Sequence, residues 1–244
     1  MIFLMFHDVV DQSCPISGFQ TLGAIQYRLD KDTFENFVSY IAESQTDVAL
    51  SFDDGGVSSI KIIAPTLEKY SKKGLFCITT SCVGRTGFLS EDQIRALDAN
   101  GHIIASHSHT HPKDISKLSE RDLFEEWYKS KEILENILNK PIVAASIPGG
   151  AVSKKVIQSL FKAGYSEIYT SEPSIVKQKY KEGFVVGRFA IKNSTTNTEL
   201  RQLLGNLSYR RRLLFKYRIL RIVKLLMGKN YNFFKQEFLK AFRK

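Results

Sequence analysis

The sequence predicts an α/β fold, a barrel of about seven parallel strands, followed by basic amphipathic helices at the C-terminus. Three observations carry that prediction. Short apolar runs rich in Val, Ile and Phe recur at 2–6, 48–52, 75–79, 102–106, 142–147, 167–170 and 185–191. Segments with helical spacing lie between most of them, at 31–44, 58–73, 90–99, 119–138 and 153–163. The runs are apolar nearly throughout rather than alternating, as strands are when helices cover a parallel sheet. About seven such units suggest closure into a barrel, with an open doubly wound sheet as the alternative.

Taken in order, "MIFLMF" reads as a buried strand, because His7 and Asp8 interrupt it too early for a membrane span. The stretch 10–27 reads as a loop over one rim. Helix starts are marked by capping chemistry: Ser90 with Gln93 three residues on, and Ser119 followed by Asp122. Gly74, Gly101 and Gly164 stand after helical stretches, where left-handed caps are expected.

At 244 residues, 43% of them hydrophobic, the chain is long enough for a full core without disulfides. Its three cysteines, Cys14, Cys77 and Cys82, match no zinc or redox spacing, and a reducing compartment is expected. No basic segment precedes the first apolar run, so no signal peptide and no transmembrane span are expected. The net charge of +10 is unevenly held. Residues 209–244 carry twelve of the 35 Lys and Arg and only one acid, Glu237, so the rest of the chain is near neutral.

Polar clusters fall at the carboxyl ends of the predicted strands, where the loops of a parallel sheet gather and chemistry collects. His7 and Asp8 follow the first strand, Asp53 and Asp54 the second, His107 to His111 the fourth, and "SIPGG" the fifth. In "SFDDGG" two glycines let the backbone turn and leave room for a ligand beside the acids; a plain turn is the competing reading. In "SHSHTHP", His107 and His111 are spaced to aim at one cation with a carboxylate as third ligand, an arrangement that leaves positions open for water and substrate. His109 is read as supporting or incidental, and His102 as structural on the opposite rim.

The ordered set "SFDDGG", "GHIIASHSHTHP" and "SIPGG", with "FLMFHDV" at the start, resembles the polysaccharide deacetylase family, the NodB-homology domain of carbohydrate esterase family 4. The resemblance covers about residues 1–192, and 193–244 would be a basic helical extension. It implies a distorted (β/α) barrel that hydrolyses the N-acetyl group of an amino sugar with a divalent metal: zinc first, with cobalt, nickel or iron(II) also accommodated. By position, Asp53 would be the general base and Asp54, His107 and His111 the metal ligands, with Ser108 fixing their loop.

Two departures stand out. The arginine that many members place in the third motif is Ser146 here, and no histidine follows His111 to protonate the leaving amine. His7, at the end of the first strand, is the candidate acid, with a plain hydrogen-bonded histidine as the alternative. Arg188 in "VGRFAI" is the candidate replacement for the arginine, with a snorkelling strand arginine as the alternative. Pro148, Gly149 and Gly150 are placed by the motif to line the sugar pocket.

In the tail, "YRRRLLFKYRILRIVKLLM" puts Leu213, Phe215, Tyr217, Leu220, Val223 and Met227 at helical spacing among Arg210, Arg211, Arg212, Lys216, Arg218 and Arg221. "NFFKQEFLKAFRK" repeats the pattern. Such helices suit an anionic membrane surface, and packing on the barrel is the alternative. Nucleic acid is not expected as a partner, because the main domain is near neutral. The reading is a metal-dependent deacetylase of an N-acetylated polysaccharide, oligosaccharide or lipid-linked glycan, cytoplasmic or peripheral on the inner membrane face. The rivals are a non-sugar amide hydrolase of the same fold and a silent carbohydrate- or membrane-binding module.

Overall fold

The computed structural model describes residues 1–227. In chain order the strands are β1 (Ile2–Phe6), β2 (Val9–Val10), β3 (Leu29–Asp30), β4 (Val48–Phe52), β5 (Gly74–Ile78), β6 (Ile103–Ser106), β7 (Ala144–Ser146), β8 (Glu167–Thr170), β9 (Lys177–Lys179), β10 (Phe184–Gly187) and β11 (Phe189–Ala190). The helices are α1 (Leu22–Ile25), α2 (Lys31–Glu43), α3 (Ala64–Lys69), α4 (Glu91–Ala99), α5 (Glu120–Leu138), α6 (Lys154–Lys162), α7 (Asn197–Gly205) and α8 (Leu207–Met227).

Nine strands form one sheet in the order β11-β1-β4-β5-β6-β7-β8-β10-β9, and β2 pairs with β3 in a second, two-stranded sheet. Every pairing in the large sheet is parallel except β9 with β10. β10 pairs with β8, while β11, separated from β10 by one residue, pairs with β1. The single run 184–190 therefore borders both ends of the sheet, which curls on itself into a distorted barrel of seven parallel strand positions. The expected barrel is the fold.

Pleat alternation divides the core in two. On β5, Phe76 and Ile78 join a large layer with Phe34, Phe37, Leu67, Ile94 and Trp127 from the helices, whereas Leu75 and Cys77 join a small cluster with Ala105, Ala144, Tyr169 and Val186. The first layer lies between sheet and helices and the second fills the barrel. At the top of that interior sits Arg188, wholly buried.

The local chemistry follows expectation in most places. Ser90 and Gln93 form a capping box at α4, and the Ser119 hydroxyl accepts from the Asp122 N–H at α5. Gly101 and Gly164 take positive φ after their helices. Gly74 does not. Ser71 takes the left-handed turn instead, and Gly74 opens β5, where a Cβ would stand 2.9 Å from the Phe52 ring. The stretch 10–27 is less irregular than expected, since it carries Thr21-capped α1. The 58–73 segment begins as a π-helical turn, Ser59–Ile63, before α3.

α7 places Leu200, Leu203 and Leu204 in the main core, so the start of the expected extension is packed on the barrel. On α8, Tyr209 and Leu213 pack against that core, and Arg210 donates to the carbonyls of Leu203 and Leu204 at the end of α7. Arg218 meets Glu172 at 3.3 Å, and Arg221 donates to the Val152 carbonyl. Lys216 is partly buried, while Arg211, Arg212 and Phe215 are exposed. The second basic segment, "NFFKQEFLKAFRK", lies outside the described residues. No helix among the described residues is long and apolar enough to cross a membrane.

Candidate metal and catalytic site

The site is built where β1, β4, β6, β7 and β10 end. Asp53 and Asp54 directly follow β4, and hydrogen bonds from Asp53 N to Phe6 O and from Thr79 N to Asp54 O tie that turn to its neighbours. His107 follows β6, with its N–H on Ile78 O at 2.8 Å. Three residues here hold positive φ without being glycine: Asp54 at 81°, Ser108 at 64° and His111 at 54°. Such conformations cost free energy and persist where surrounding structure imposes them. What imposes them at the histidine loop is a chain of hydroxyls: Ser130 to Ser106 at 2.7 Å, Ser108 N to Ser106 Oγ at 3.1 Å, and His111 N to Ser108 Oγ at 3.1 Å.

That loop aims both imidazoles at Asp54. His107 Nε2 lies 3.4 Å and His111 Nε2 3.6 Å from Asp54 Oδ1, and the three donor atoms lie within 4.8 Å of one another. The Ser146 carbonyl, which can only accept, sits 3.1 Å from His107 Nδ1, so the hydrogen is on Nδ1 and Nε2 faces the acid. His109 turns away to Thr80, 3.0 Å from its Nδ1. His102, on the opposite rim, accepts from Gly74 N.

Asp54, His107 and His111 form a group able to bind a metal. Two imidazole nitrogens and one carboxylate oxygen are a donor set for a catalytic divalent cation. The electrostatics fit as well. Burial opposes charge on His107, yet Asp53 and Asp54 outweigh it and raise its pKa. Positive charge is thus favoured at this point, which is what a cation supplies. Burial, aided by His107, lowers His111 to about 4, leaving its ring neutral with a free lone pair.

Beside this group, Asp53 is gripped from below. Arg188 Nη1 donates to Oδ1 at 2.7 Å and Nη2 to Oδ2 at 2.8 Å; Ser146 Oγ adds a third bond to Oδ2 at 3.1 Å. The guanidinium is held in turn by Ser51 Oγ, Ser146 Oγ and Thr170 O. Burial works against the charge on Asp53, but Arg188 and His107 prevail and hold the carboxyl well below the usual carboxylate range. Ser146 stands in the motif position where many members of the family that the motifs resemble carry an arginine, and here the guanidinium on Asp53 comes from Arg188, between β10 and β11.

His7 ends β1 on the same rim, its ring 4.4 Å from that of Tyr27, its Nδ1 buried without a hydrogen-bond partner. Pro148, Gly149 and Gly150 form a short helical turn after β7, with Gly149 at φ 61° and its backbone exposed. The structure brings Asp53, Asp54, His107, His111, His7 and Arg188 to one end of the barrel, with Pro148 to Gly150 on the same rim. Of the basic residues of α8, Arg218 and Arg221 reach the loops that follow β8 and β7 at this rim, while Arg211 and Arg212 are exposed.

Two features were not legible beforehand. The second glycine of "SFDDGG" does not make room for a ligand. A Cβ at Gly56 would meet Asp8 Oδ1 at 2.0 Å and Ser17 Oγ at 2.5 Å, so the space belongs to the rim loop. Asp8 is buried there, accepting from Ser17 at 2.6 Å and Ser58 at 3.0 Å. The aromatic wall is the other: Phe19 lies 4.9 Å from the His111 ring, and Tyr27 covers His7. Nothing in spacing marks these two rings, because they arrive from a loop.

Comparison with known proteins agrees with this arrangement. Residues 41–168, just over half the chain, match the family model described as polysaccharide deacetylase. YxkH of Bacillus subtilis (strain 168), named as a polysaccharide deacetylase, is 26% identical over 130 residues, 53% of this chain and 46% of that protein. The match thus spans about half of that relative's length. Among solved structures, the Streptococcus pyogenes deacetylase PplD, in complex with acetate, superposes with a TM-score of 0.68 at 18% identity, covering 84% of this chain and 97% of that one. BC0361, a polysaccharide deacetylase from Bacillus cereus, gives 0.71 at 21% identity over 83% and 68%. At these identities the likeness is one of fold.

Proposed function

Since the chain belongs to the polysaccharide deacetylase family, whose members are hydrolases acting on N-acetyl groups, we propose that it is a metal-dependent deacetylase of an N-acetylated amino sugar within a glycan. The observation that carries this is the meeting of Asp54, His107 and His111 beside an ionised Asp53 locked by Arg188. The S. pyogenes relative was solved with acetate, the acid that such a hydrolysis releases.

Asp54, His107 and His111 would hold the cation. When bound, it supplies Lewis acidity to the acetyl oxygen and to water, with zinc the first expectation for this donor set. Asp53 takes the proton of the attacking water as the water oxygen bonds to the acyl carbon. The Arg188 fork lowers its basicity and fixes its direction, so positioning is what it contributes. As the C–N bond breaks, the leaving nitrogen needs a proton, and His7, which follows β1 on the same rim, would give it. Pro148 to Gly150 line the approach, where the exposed Gly149 backbone can meet a sugar closely.

Metal content and acetate release from a panel of N-acetylhexosamine oligomers test the reading in one series. We expect His107→Ala to lose both, and Asp53→Asn to keep metal and lose acetate. His7→Gln should slow release while keeping metal. Metal-loaded protein that releases nothing from any N-acetylated sugar but cleaves another amide would overturn the sugar assignment.

We also propose contact with an anionic membrane surface. Arg211, Arg212 and Phe215 are exposed together on α8, and the basic segment "NFFKQEFLKAFRK" follows. All three cysteines are free buried thiols, which suits a reducing compartment at the inner face. Sedimentation with phosphatidylglycerol vesicles should fall steeply with salt and with Arg211→Glu/Arg212→Glu; indifference to both would remove this contact.

A further inference from the structure

Beyond the acids, the rim carries positive charge that no carboxylate answers. After β11 the chain is stitched to the rim loop: Asn193 N donates to Gln26 O at 3.0 Å, and its side-chain amide to Ile25 O at 3.1 Å. This places Lys192 Nζ 5.0 Å from the centre of the Tyr27 ring, the same ring that lies against His7. Lys192 is partly buried, and burial alone pulls its ammonium below the usual lysine range, with no acid to offset it. On the same rim loop, next to Tyr27 in sequence, Arg28 spends its Nη2 on neutral oxygens, those of Ser17, Phe19 and the Gln20 side chain, and its Nε is buried without a partner.

The acids that share this rim are engaged elsewhere: Asp8 by Ser17 and Ser58, Asp53 by Arg188, Asp54 by the two histidines, Glu126 by the N–H groups of His109 and Thr110, and Glu172 by Arg218. A half-buried ammonium without a counter-ion gives up hydration and recovers it only in part from an aromatic face. An anion arriving with the substrate would complete the recovery, and the field of the ammonium would draw it in.

Resting on the deacetylase reading, we propose that Lys192, over the Tyr27 ring, forms a subsite for an anionic substituent of the glycan, a phosphate or a carboxylate carried on or next to the sugar that is deacetylated. Tyr27 has the His7 ring 4.4 Å from its own and Lys192 Nζ 5.0 Å from its centre, so the subsite stands one ring outward from His7, where a substituent rather than the acetyl group would lie.

The test compares three substrates: a neutral N-acetylglucosamine trisaccharide, the same trisaccharide bearing a phosphate ester, and one bearing a uronate. For the metal-loaded wild type we expect kcat/KM on a charged substrate to exceed that on the neutral one by about tenfold or more, mainly through KM and weakening with salt. Lys192→Met should bring the charged-to-neutral ratio close to one, and Lys192→Arg should restore most of it. The arms with phosphate and uronate identify which anion is taken. Calorimetry with glucosamine 6-phosphate, which has no acetyl group, should show binding to wild type that Lys192→Met loses. Equal use of neutral and charged substrates by the wild type, or a ratio unmoved in Lys192→Met, overturns the subsite. Absence of acetate from every substrate, with phosphate binding intact, overturns the deacetylase reading and leaves the subsite standing.

Discussion

At the scale of single residues, the pair Asp53–Arg188 does the most for site and core at once. Both groups are buried, at 3% and 0% side-chain exposure, and each satisfies the other through two short bonds. Removing one partner strands the other's charge, so Arg188→Met should destabilise the fold by about 3–5 kcal/mol in urea titration. The double variant Asp53→Asn/Arg188→Met should recover much of that, because no buried charge then remains. Asp8 behaves oppositely. Burial raises its pKa more than the Ser17 and Ser58 hydroxyls lower it. A carboxyl protonated more readily in the folded than in the unfolded chain stabilises fully below its unfolded value of about 3.9, and that contribution drains away as pH rises through the folded value. Urea unfolding of wild type and Asp8→Asn between pH 4 and 8 should therefore show wild type losing ground to the variant as pH climbs.

At the scale of elements, the site depends on how loops from separate strands dock. The β4 turn reaches the loop after β1 through Gly56, whose missing side chain lets Asp8 and Ser17 close on the backbone. Gly56→Ala would force these apart, at a cost of roughly 1–3 kcal/mol. Metal affinity should fall with it, since Asp54 is two residues away; equilibrium dialysis with zinc reads this directly. At the other end of the chain, α7 is held by a Thr196–Glu199 capping box and by three leucines in the core. Leu203→Ala should cost about 2–4 kcal/mol, which separates a helix integral to the barrel from an independent appendage.

At the scale of the whole molecule, the metal group bridges the ends of β4 and β6, which β5 separates in the sheet. A cation bound there would tie these strands at the rim and, binding only the folded chain, would stabilise it by mass action. Melting in excess zinc should occur several degrees above melting in a chelator, and Asp54→Asn should abolish the difference. The same curl explains Arg188. Because the run 184–190 borders β8 and then β1, the residue between its two pairings points into the interior beneath Asp53, though 135 positions separate them in sequence.

Local chemistry alone determined the seven strand positions, five of the helices, the capping serines and the convergence of "SFDDGG" and "SHSHTHP" at one rim. Apolar runs, helical spacing and the rule that parallel strands end together are all properties of short windows. What only the tertiary structure decided was partnership. Arg188 reads from sequence as equally a strand arginine reaching solvent, and only closure of the sheet puts it under the acid. Tyr27 and Lys192 have no pattern of their own, and Gly56 reads from its motif as room for a ligand, because their roles depend on which loop folds over them. The left-handed turns at Asp54, Ser108 and His111 were likewise hidden: side chains that ordinarily avoid such backbone adopt it where the hydroxyl chain from Ser130 and the pull of neighbouring strands leave no other path.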